Sequence, residues 1–532
     1  MIPYLLLIVM TGNFYNWDLF RVNGFFIRVR GEKMKYVIGI DLGTSAVKTI
    51  LVNQNGKVCA ETSKSYPLIQ EKAGYSEQNP EDWVQQTIDA LAELVSISNV
   101  QAKDIDGISY SGQMHGLVLL DQDRQVLRHA ILWNDTRTTP QCIRMTEKFG
   151  DNLLNITKNR ALEGFTLPKI LWVKEHEPEL FKKTAVFLLP KDYVRFRMTG
   201  AIHTEYSDAA GTLLLHITRK EWSDDICNRF GISADICPPL VESHGCVGSL
   251  LPNVAAETGL SEKTKVYAGG ADNACGAIGA GILSSGKTLC SIGTSGVILS
   301  YEEGEERDFK GKVHFFNHGK KDSFYTMGVT LAAGYSLDWF KRTFAPNESF
   351  EQLLQGVESI PIGANGLLYT PYLVGERTPH ADSSIRGSLI GMDGAHKREH
   401  FLRAVMEGIT FSLHESIELF REAGKSVHTV VSIGGGAKNE TWLQMQADIF
   451  NARVIKLANE QGPAMGAAML AAFGSRWFES LEECAEQFIR EAATFYPKEQ
   501  NVQKYKTLFD VYKKIYTHTK DLNTALKSFR KN

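Results

Sequence analysis

The sequence predicts an α/β chain organised as two related domains that face each other across a central cleft. Three observations carry this. A chain of 532 residues can bury more than one hydrophobic core. A strand–Gly-Thr-Ser–strand unit occurs twice, at Gly43 and again 250 residues on at Gly293. Strands also run into glycine-rich turns that open helices, at residues 266–280 and again at 427–450.

Composition narrows the class. The chain is 43% hydrophobic and 22% charged, which excludes intrinsic disorder. With 58 Lys plus Arg against 61 Asp plus Glu, the net charge of −3 gives no reason to expect nucleic acid or an anionic membrane as partner. The longest apolar run, residues 4–10, is far short of the ~20 residues of a spanning helix. No basic residue precedes it and no small-residue cleavage site follows. Eight cysteines without a CxxC pair suit reduced thiols, so a soluble cytoplasmic protein is expected. Cys227, Cys237, His244 and Cys246 lack the short-pair spacing of structural zinc and read as ordinary thiols.

Residues 1–33 mix aromatics and Arg without a clear period, and a clean strand opens only after Met34. Gly31-Glu32-Lys33 is what a purine-rich ribosome-binding stretch would encode if read through. The expected start is therefore Met34, with 1–33 a non-native extension; a genuine arm packed on a domain is the alternative. Domains are expected over 34–281 and 282–490, followed by a basic amphipathic helical tail over 491–532.

The strand 36–41 ends in a carboxylate, Asp41, and leads through Leu42-Gly43-Thr44-Ser45 into strand 46–53. Asn55-Gly56 is a two-residue hairpin signal, and strand 57–66 follows. Strand 287–292, then Gly293-Thr294-Ser295-Gly296, then strand 297–301 repeats the grammar. Glycine admits close backbone approach, and successive N–H groups with Thr and Ser hydroxyls make a phosphate-sized nest. Either turn alone would serve equally as an ordinary hairpin. Together, and with Asp41 beside one of them, they favour phosphate. A third element joins them: strand 427–433, Gly434-Gly435-Gly436-Ala437, then a helix from about Asn439. That is a seat for a nucleotide, while Trp442, Met445, Ile449 and Phe450 are its core stripe. The Ala- and Gly-rich run 462–474 predicts a helix packed tightly on a neighbour.

Residues 281–288, Gly-Ile-Leu-Ser-Ser-Gly-Lys-Thr, match the P-loop letters. A P-loop needs a strand before and a helix after it, and here a small-residue helix precedes and a strand follows. The match is refused on context.

Asp272 sits on a glycine turn at a helix start, where a helix cap and a general base are equally served by its position. Gln113-Met114-His115 follows the strand 107–110, and Trp133-Asn134-Asp135 follows an apolar pair. Such loops offer polar groups and an apolar wall to a small polyhydroxylated ligand, although His115 and Trp133 could equally be structural. Glu376-Arg377-Thr378-Pro379-His380 is a third polar loop, which an ordinary salt-bridged turn would also explain.

From Met34 to the end, the chain resembles the FGGY carbohydrate kinases. The words that carry the resemblance are Asp41-Leu-Gly-Thr-Ser, Gly269-Gly-Ala-Asp-Asn273, Ser291-Ile-Gly-Thr-Ser-Gly296 and Gly434-Gly-Gly-Ala437, with the stretches 164–176 and 387–407. Within the family, residues 112–116, 131–135, 189–193, 207–212 and 375–380 are similar to those of members acting on D-xylulose. One departure is Ala271, where relatives can carry Gly. The resemblance implies two ribonuclease H-like domains of the actin and sugar-kinase type closing on MgATP and sugar. It implies Asp272 as catalytic base and Asp41 as the Mg²⁺ carboxylate, directly or through water. It places Gln113, Met114, His115, Trp133, Asp272 and Asn273 at the sugar. It places Gly43, Thr44, Ser45, Lys48, Gly293, Thr294 and Ser295 at the phosphates, and Gly435, Gly436, Ala437 and Asn439 near adenosine. The activity implied is ATP-dependent phosphorylation of D-xylulose at O5. A kinase for another sugar or polyol (ribulose, gluconate, glycerol) and an actin-type nucleotide switch are the alternatives. Partners are the sugar and ATP, with a homodimer left open.

Overall fold

The computed structural model describes residues 17–22, 25–30, 34–304, 307 and 309–530. Trp17–Val22 and Phe25–Arg30 form an antiparallel pair, and the rest of the segment read as an extension lies outside the described residues. The two strands flank Asn23-Gly24, a hairpin signal that the irregular aromatics around it obscured.

The first sheet begins with β1 (Tyr36–Leu42), β2 (Ala46–Asn53) and β3 (Val58–Ser65), which form a meander. Helix α1 (Pro80–Ser98) crosses to β4 (Ile105–Gly112), which runs parallel to β1. Asn79 caps α1 by accepting from the Glu81 N–H (3.3 Å), and Pro80 occupies the first helical position. Later come α2 (Pro190–Thr199), β5 (Cys246–Ser249), β6 (Lys265–Tyr267) and β7 (Gly270–Ala271). The order is β5-β6-β4-β1-β2-β3, with β7 also beside β4. β1 is central and buried on both faces, which is why it reads as the near-continuous apolar run YVIGIDL.

Helix α3 (Asp272–Gly279) leads into the second sheet. Its strands are β8 (Lys287–Ile292), β9 (Gly296–Glu303), β10 (His314–Asn317), β11 (Ser323–Thr330), β12 (Thr429–Gly434), β13 (Arg453–Leu457) and β14 (Glu491–Phe495). Their order is β10-β11-β9-β8-β12-β13-β14. Helices α4 (Gly334–Phe344), α5 (Arg398–Glu422), α6 (Glu440–Phe450), α7 (Pro463–Gly474) and α8 (Glu499–Leu526) belong to this half of the chain. The tail therefore opens in a strand rather than a helix: residues 491–495 complete the edge of the sheet against β13. α8 then buries Val502, Tyr505, Phe509, Tyr512 and Ile515 along one stripe.

The two sheets repeat one plan. β1 pairs antiparallel with β2 and parallel with β4; β8 pairs antiparallel with β9 and parallel with β12. Each Gly-Thr-Ser turn is thus the tip of a hairpin whose first strand ends beside a parallel neighbour. Around the refused P-loop match, α3 precedes residues 281–286 and β8 follows them, the reverse of what phosphate binding there would need.

Helix α7 crosses back to pack on the first sheet. A Cβ at Gly39 of β1 would lie 2.0 Å from the Ala464 carbonyl oxygen, and one at Gly466 would lie 1.8 Å from the Cys275 carbonyl oxygen. Glycine is required at both, because backbone meets backbone there. The small residues of 462–474 are the cause of this close approach.

Candidate active site

Strand register brings the two acidic residues together. Asp41 lies opposite Ser111 on β4, and Ser111 lies opposite Gly270 on its other side. At about 4.8 Å per strand, Asp41 and Gly270 flank Ser111 with about 10 Å between them, and Asp272 follows two residues later. Both carboxylates therefore line one wall, at the strand ends of the first sheet.

Burial pushes Asp41 up to about 6, against a hydrogen bond from Ser111 and the charge of Lys48. Burial and then the negative charge of Asp41 push Asp272 up to about 7, against the Asn273 backbone N–H. Asp272 Oδ1 accepts from the Asn273 backbone N–H (2.7 Å) and from Asn273 Nδ2 (3.0 Å). Among the described residues no donor reaches Oδ2, so that oxygen is free to take a proton. The helix-cap alternative does not hold. Ala271 occupies the N-cap position of α3, and Asp272 begins the helix with its side chain turned to its own neighbour.

The loop after β4 is buried yet strained. His115 has φ +69°, a left-handed conformation that costs a bulky side chain on the order of 1–3 kcal/mol. It is held there by Nδ1, 2.6 Å from the Gly211 carbonyl, and by the Phe165 ring at 4.7 Å. Thr166 Oγ1 (3.1 Å) and Lys169 Nζ (3.3 Å) donate to the His115 carbonyl. Burial, then the Lys169 charge, lower the His115 imidazole to about 3, so the ring is neutral. A carbonyl can only accept, so Nδ1 carries the proton and Nε2 is an acceptor. Met114 is buried, and its sulfur accepts from Asn273 Nδ2 (3.6 Å). Gln113 donates to the Gly43 carbonyl (3.4 Å) and to Gln78 (3.2 Å). Trp133 is 42% exposed, not core, and donates through Nε1 to Thr44 Oγ1 (2.9 Å).

The two Gly-Thr-Ser turns differ in support. Gly43 N–H bonds to the Ala46 carbonyl (3.0 Å), and the Gly43 carbonyl accepts from the Tyr66 hydroxyl. At the second turn, Gly293 N–H bonds to Ser295 (3.0 Å), while the Gly293 and Thr294 carbonyls accept from Gly334 (2.8 Å) and Tyr335 (3.0 Å) of α4. Lys48 stands opposite Asp41 in register, and its ammonium donates to Gln461 (2.6 Å) with Glu61 at 3.5 Å. In this structure the Lys48 ammonium thus reaches across to the other half of the chain.

A cavity of about 1010 Å³ opens beside the second turn, lined by Gly293, Thr294, Gly435, Lys438 and Asn439. Its remaining walls, including Tyr335 and Asp338 of α4 and Phe350, carry no motif and went unforeseen. Gly436 and Ala437 are buried beneath it, and a Cβ at Gly436 would lie 2.5 Å from Ile292. Asn439 caps α6 by accepting from the Trp442 N–H (2.9 Å). In the loop at 376–380, Glu376 braces β11 through Thr330 (2.5 Å) and the Leu331 N–H (3.1 Å). The Arg377 guanidinium makes no hydrogen bond or ion pair among the described residues, and its charge is felt by His115 and His314. The salt-bridged turn is therefore not what the Arg377 side chain forms. Among the described residues no group of three metal-type ligands occurs, at the cysteines or elsewhere.

Two family patterns match successive parts of the chain. The FGGY family of carbohydrate kinases, N-terminal domain, matches residues 36–279, and the C-terminal domain of the same family matches 288–475. The chain belongs to the FGGY family of carbohydrate kinases. Its two sheets are the mixed α/β, actin and ribonuclease H-like pair of that family. Xylulose kinase from Bacillus subtilis strain 168 is 94% identical over 499 residues, covering 94% of this chain and all of the relative. Among solved FGGY structures, a ligand-bound xylulose kinase from Lactobacillus acidophilus superposes with TM-score 0.87 at 27% identity, over 91% of this chain and 98% of its own. A gluconate kinase from the same organism superposes equally well, TM-score 0.87 at 27% identity over 92% and 98%. Backbone shape thus identifies the FGGY kinase and leaves its sugar to the side chains.

Proposed function

We propose that this chain transfers the γ-phosphoryl group of ATP to the O5 hydroxyl of D-xylulose, giving D-xylulose 5-phosphate. The observation that carries the sugar is the 94% identity to the Bacillus subtilis xylulose kinase. Support from the site is chemical: Asp272 keeps one carboxylate oxygen free, the Met114 thioether meets the adjoining Asn273, and the loops that carry Met114 and Trp133 add a neutral imidazole acceptor, an amide and an indole. That set suits a short polyol chain and offers no cation to a sugar acid except Arg377.

Phosphoryl transfer passes through a loose transition state, so positioning and charge neutralisation dominate. Asp272 Oδ2 takes the proton of the attacking hydroxyl. Its elevated proton affinity lies near neutral pH, where a base is both available and effective. His115 Nε2 accepts from a neighbouring sugar hydroxyl, Asn273 fixes the Asp272 carboxyl, and Trp133 walls the sugar. The two Gly-Thr-Ser turns hold the phosphates, and the cavity beside 435–439 takes adenosine. Closure of the two halves would exclude water as a competing acceptor.

Mg²⁺ fits at Asp41. The two carboxylates feel each other's charge in a buried place, and the Lys48 ammonium donates to Gln461, which leaves negative charge for a hard cation to offset. Asp41 would hold it directly or through water, with the remaining ligands from phosphate and solvent. The ion would supply charge neutralisation on the triphosphate. The test is ADP release across ketoses, aldoses and polyols. D-xylulose should give the highest kcat/KM; preference for gluconate or glycerol would reassign the sugar, and no acceleration by any sugar would point to a nucleotide switch.

A further inference from the structure

The motif words 189–193 and 207–212 contribute to a wholly buried ion cluster behind the site. Lys191 Nζ lies 2.7 Å from Asp192 Oδ1, 3.1 Å from Asp208 Oδ2 and 3.4 Å from Glu205 Oε1. Arg195 Nη1 donates to Asp192 Oδ1 (2.8 Å) and to the Ala268 carbonyl (2.6 Å), on the approach to Asp272. All five side chains are fully inaccessible to solvent. Burial above all, then the charges of Asp192 and Glu205, drive Asp208 well above the carboxylate range despite Lys191.

Glu205 gathers donors from the Ser207 N–H (2.8 Å), the Ser207 hydroxyl (2.8 Å), the Asp208 N–H (2.8 Å) and the Ser243 hydroxyl (2.8 Å). With its proton given to Glu205, Ser207 Oγ accepts from the Ala271 N–H (3.0 Å), one residue before Asp272. Four residues along the same short segment, the Gly211 carbonyl accepts from His115 Nδ1 (2.6 Å). A Cβ at Gly211 would lie 2.7 Å from that nitrogen, so the histidine rests directly on the backbone.

We propose that residues 205–211, locked by the ion cluster on Lys191, are one positioning element that holds Asp272 and His115 at a fixed separation. Ser207 and Lys191 are positioning residues: they act through Ala271 and never meet substrate. A buried cluster cross-tied by Lys191 and Arg195, with Glu205 receiving four donors, suits this task, because a rigid support transmits no slack to the groups it carries. The inference deepens the assignment of Asp272 as base and rests on it.

The experiment compares Ser207→Ala, Asp272→Asn and the double variant in the full chain. Misplacing a base by an ångström costs about a hundredfold in rate, so Ser207→Ala should lower kcat about tenfold to a hundredfold. Its KM for MgATP and its ADP affinity by calorimetry should stay at wild-type values, which general loosening of the fold would not leave intact. Because the Ser207 hydroxyl acts through Ala271 on Asp272, while His115 rests on the Gly211 carbonyl, adding Ser207→Ala to Asp272→Asn should cost nothing further in kcat. Ser207→Cys, which keeps a weaker donor and acceptor, should lie between and carries the comparison if the alanine variant does not accumulate. Wild-type kcat in both Ser207 variants beside an inactive Asp272→Asn would overturn the positioning role alone. A multiplicative loss in the double variant would also overturn it. An active Asp272→Asn would instead overturn the base on which it rests.

Discussion

The Trp133 indole donates to Thr44 Oγ1 at 2.9 Å, tying the loop after residue 131 to the first Gly-Thr-Ser turn. On the proposed assignment of these two loops to sugar and phosphate, the two substrates share this tie. Losing one such hydrogen bond costs about 1 kcal/mol, close to a fivefold change in a binding constant. Trp133→Phe, which keeps the apolar wall, should raise KM for both sugar and MgATP about threefold to tenfold. A rise for sugar alone in steady-state kinetics would show that the tie is idle.

Asp272 is held at a cost to stability. Its proton affinity is higher in the fold than in the unfolded chain, so its contribution favours the fold at low pH and declines as pH rises from about 4 to about 7. Asp272→Asn removes that term and should stabilise the protein at pH 8 by on the order of 2 kcal/mol. Calorimetric melting should move up by a few degrees at pH 8 and little at pH 4.5. An unchanged or lower melting temperature at pH 8 would contradict the burial argument. The same variant should lose ~10²–10⁴ in kcat. Retention of a tenth of the rate would remove Asp272 as base.

With the base protonated below neutrality, kcat/KM of the free enzyme should fall about tenfold per pH unit beneath a midpoint near 7. A flat profile between pH 5.5 and 8 would sink this. The limb should vanish from the residual activity of Asp272→Asn.

Asp41→Ala should raise the Mg²⁺ concentration for half-maximal rate at least tenfold, while sugar affinity measured without nucleotide changes little. Undiminished Mg²⁺ response in that variant would take the ion away from Asp41.

Gly39→Ala would drive a Cβ into the Ala464 carbonyl at 2.0 Å, backbone against backbone. Overpacking of this kind costs about 1–3 kcal/mol or more. Gly394→Ala, with open space around it, is the control and should leave the denaturation midpoint unmoved.

Much of this was legible in the chain itself. β2 and β8 fall on the residues that the pattern marks, because Asn55-Gly56 and the Gly-Thr-Ser turns punctuate them. Asp41, His115 and Asp272 were visible because each stands at or just past the end of a strand, and register sets those strand ends side by side. The cavity beside the second Gly-Thr-Ser turn was half visible: glycines announce 293–294 and 435, whereas Tyr335, Asp338 and Phe350 reach it from helices by tertiary packing, which leaves no local mark. The role of Lys191 and Ser207 was hidden for the opposite reason. A charged residue in a sequence reads as surface, and only the fold reveals five such groups sealed away from water. The direction of Lys48 toward Gln461, 413 residues on, is likewise invisible to any local pattern.

The seam at Gly39, Ala464, Gly466 and Cys275 brings main chain against main chain, with Val37, Ile50, Met465 and Met469 packed around it. Backbones in direct contact leave no side chain to yield, so a shift of α7 would carry β1 and α3 along with it. A change at that junction would then be felt at Asp41 and Asp272, which those two elements carry.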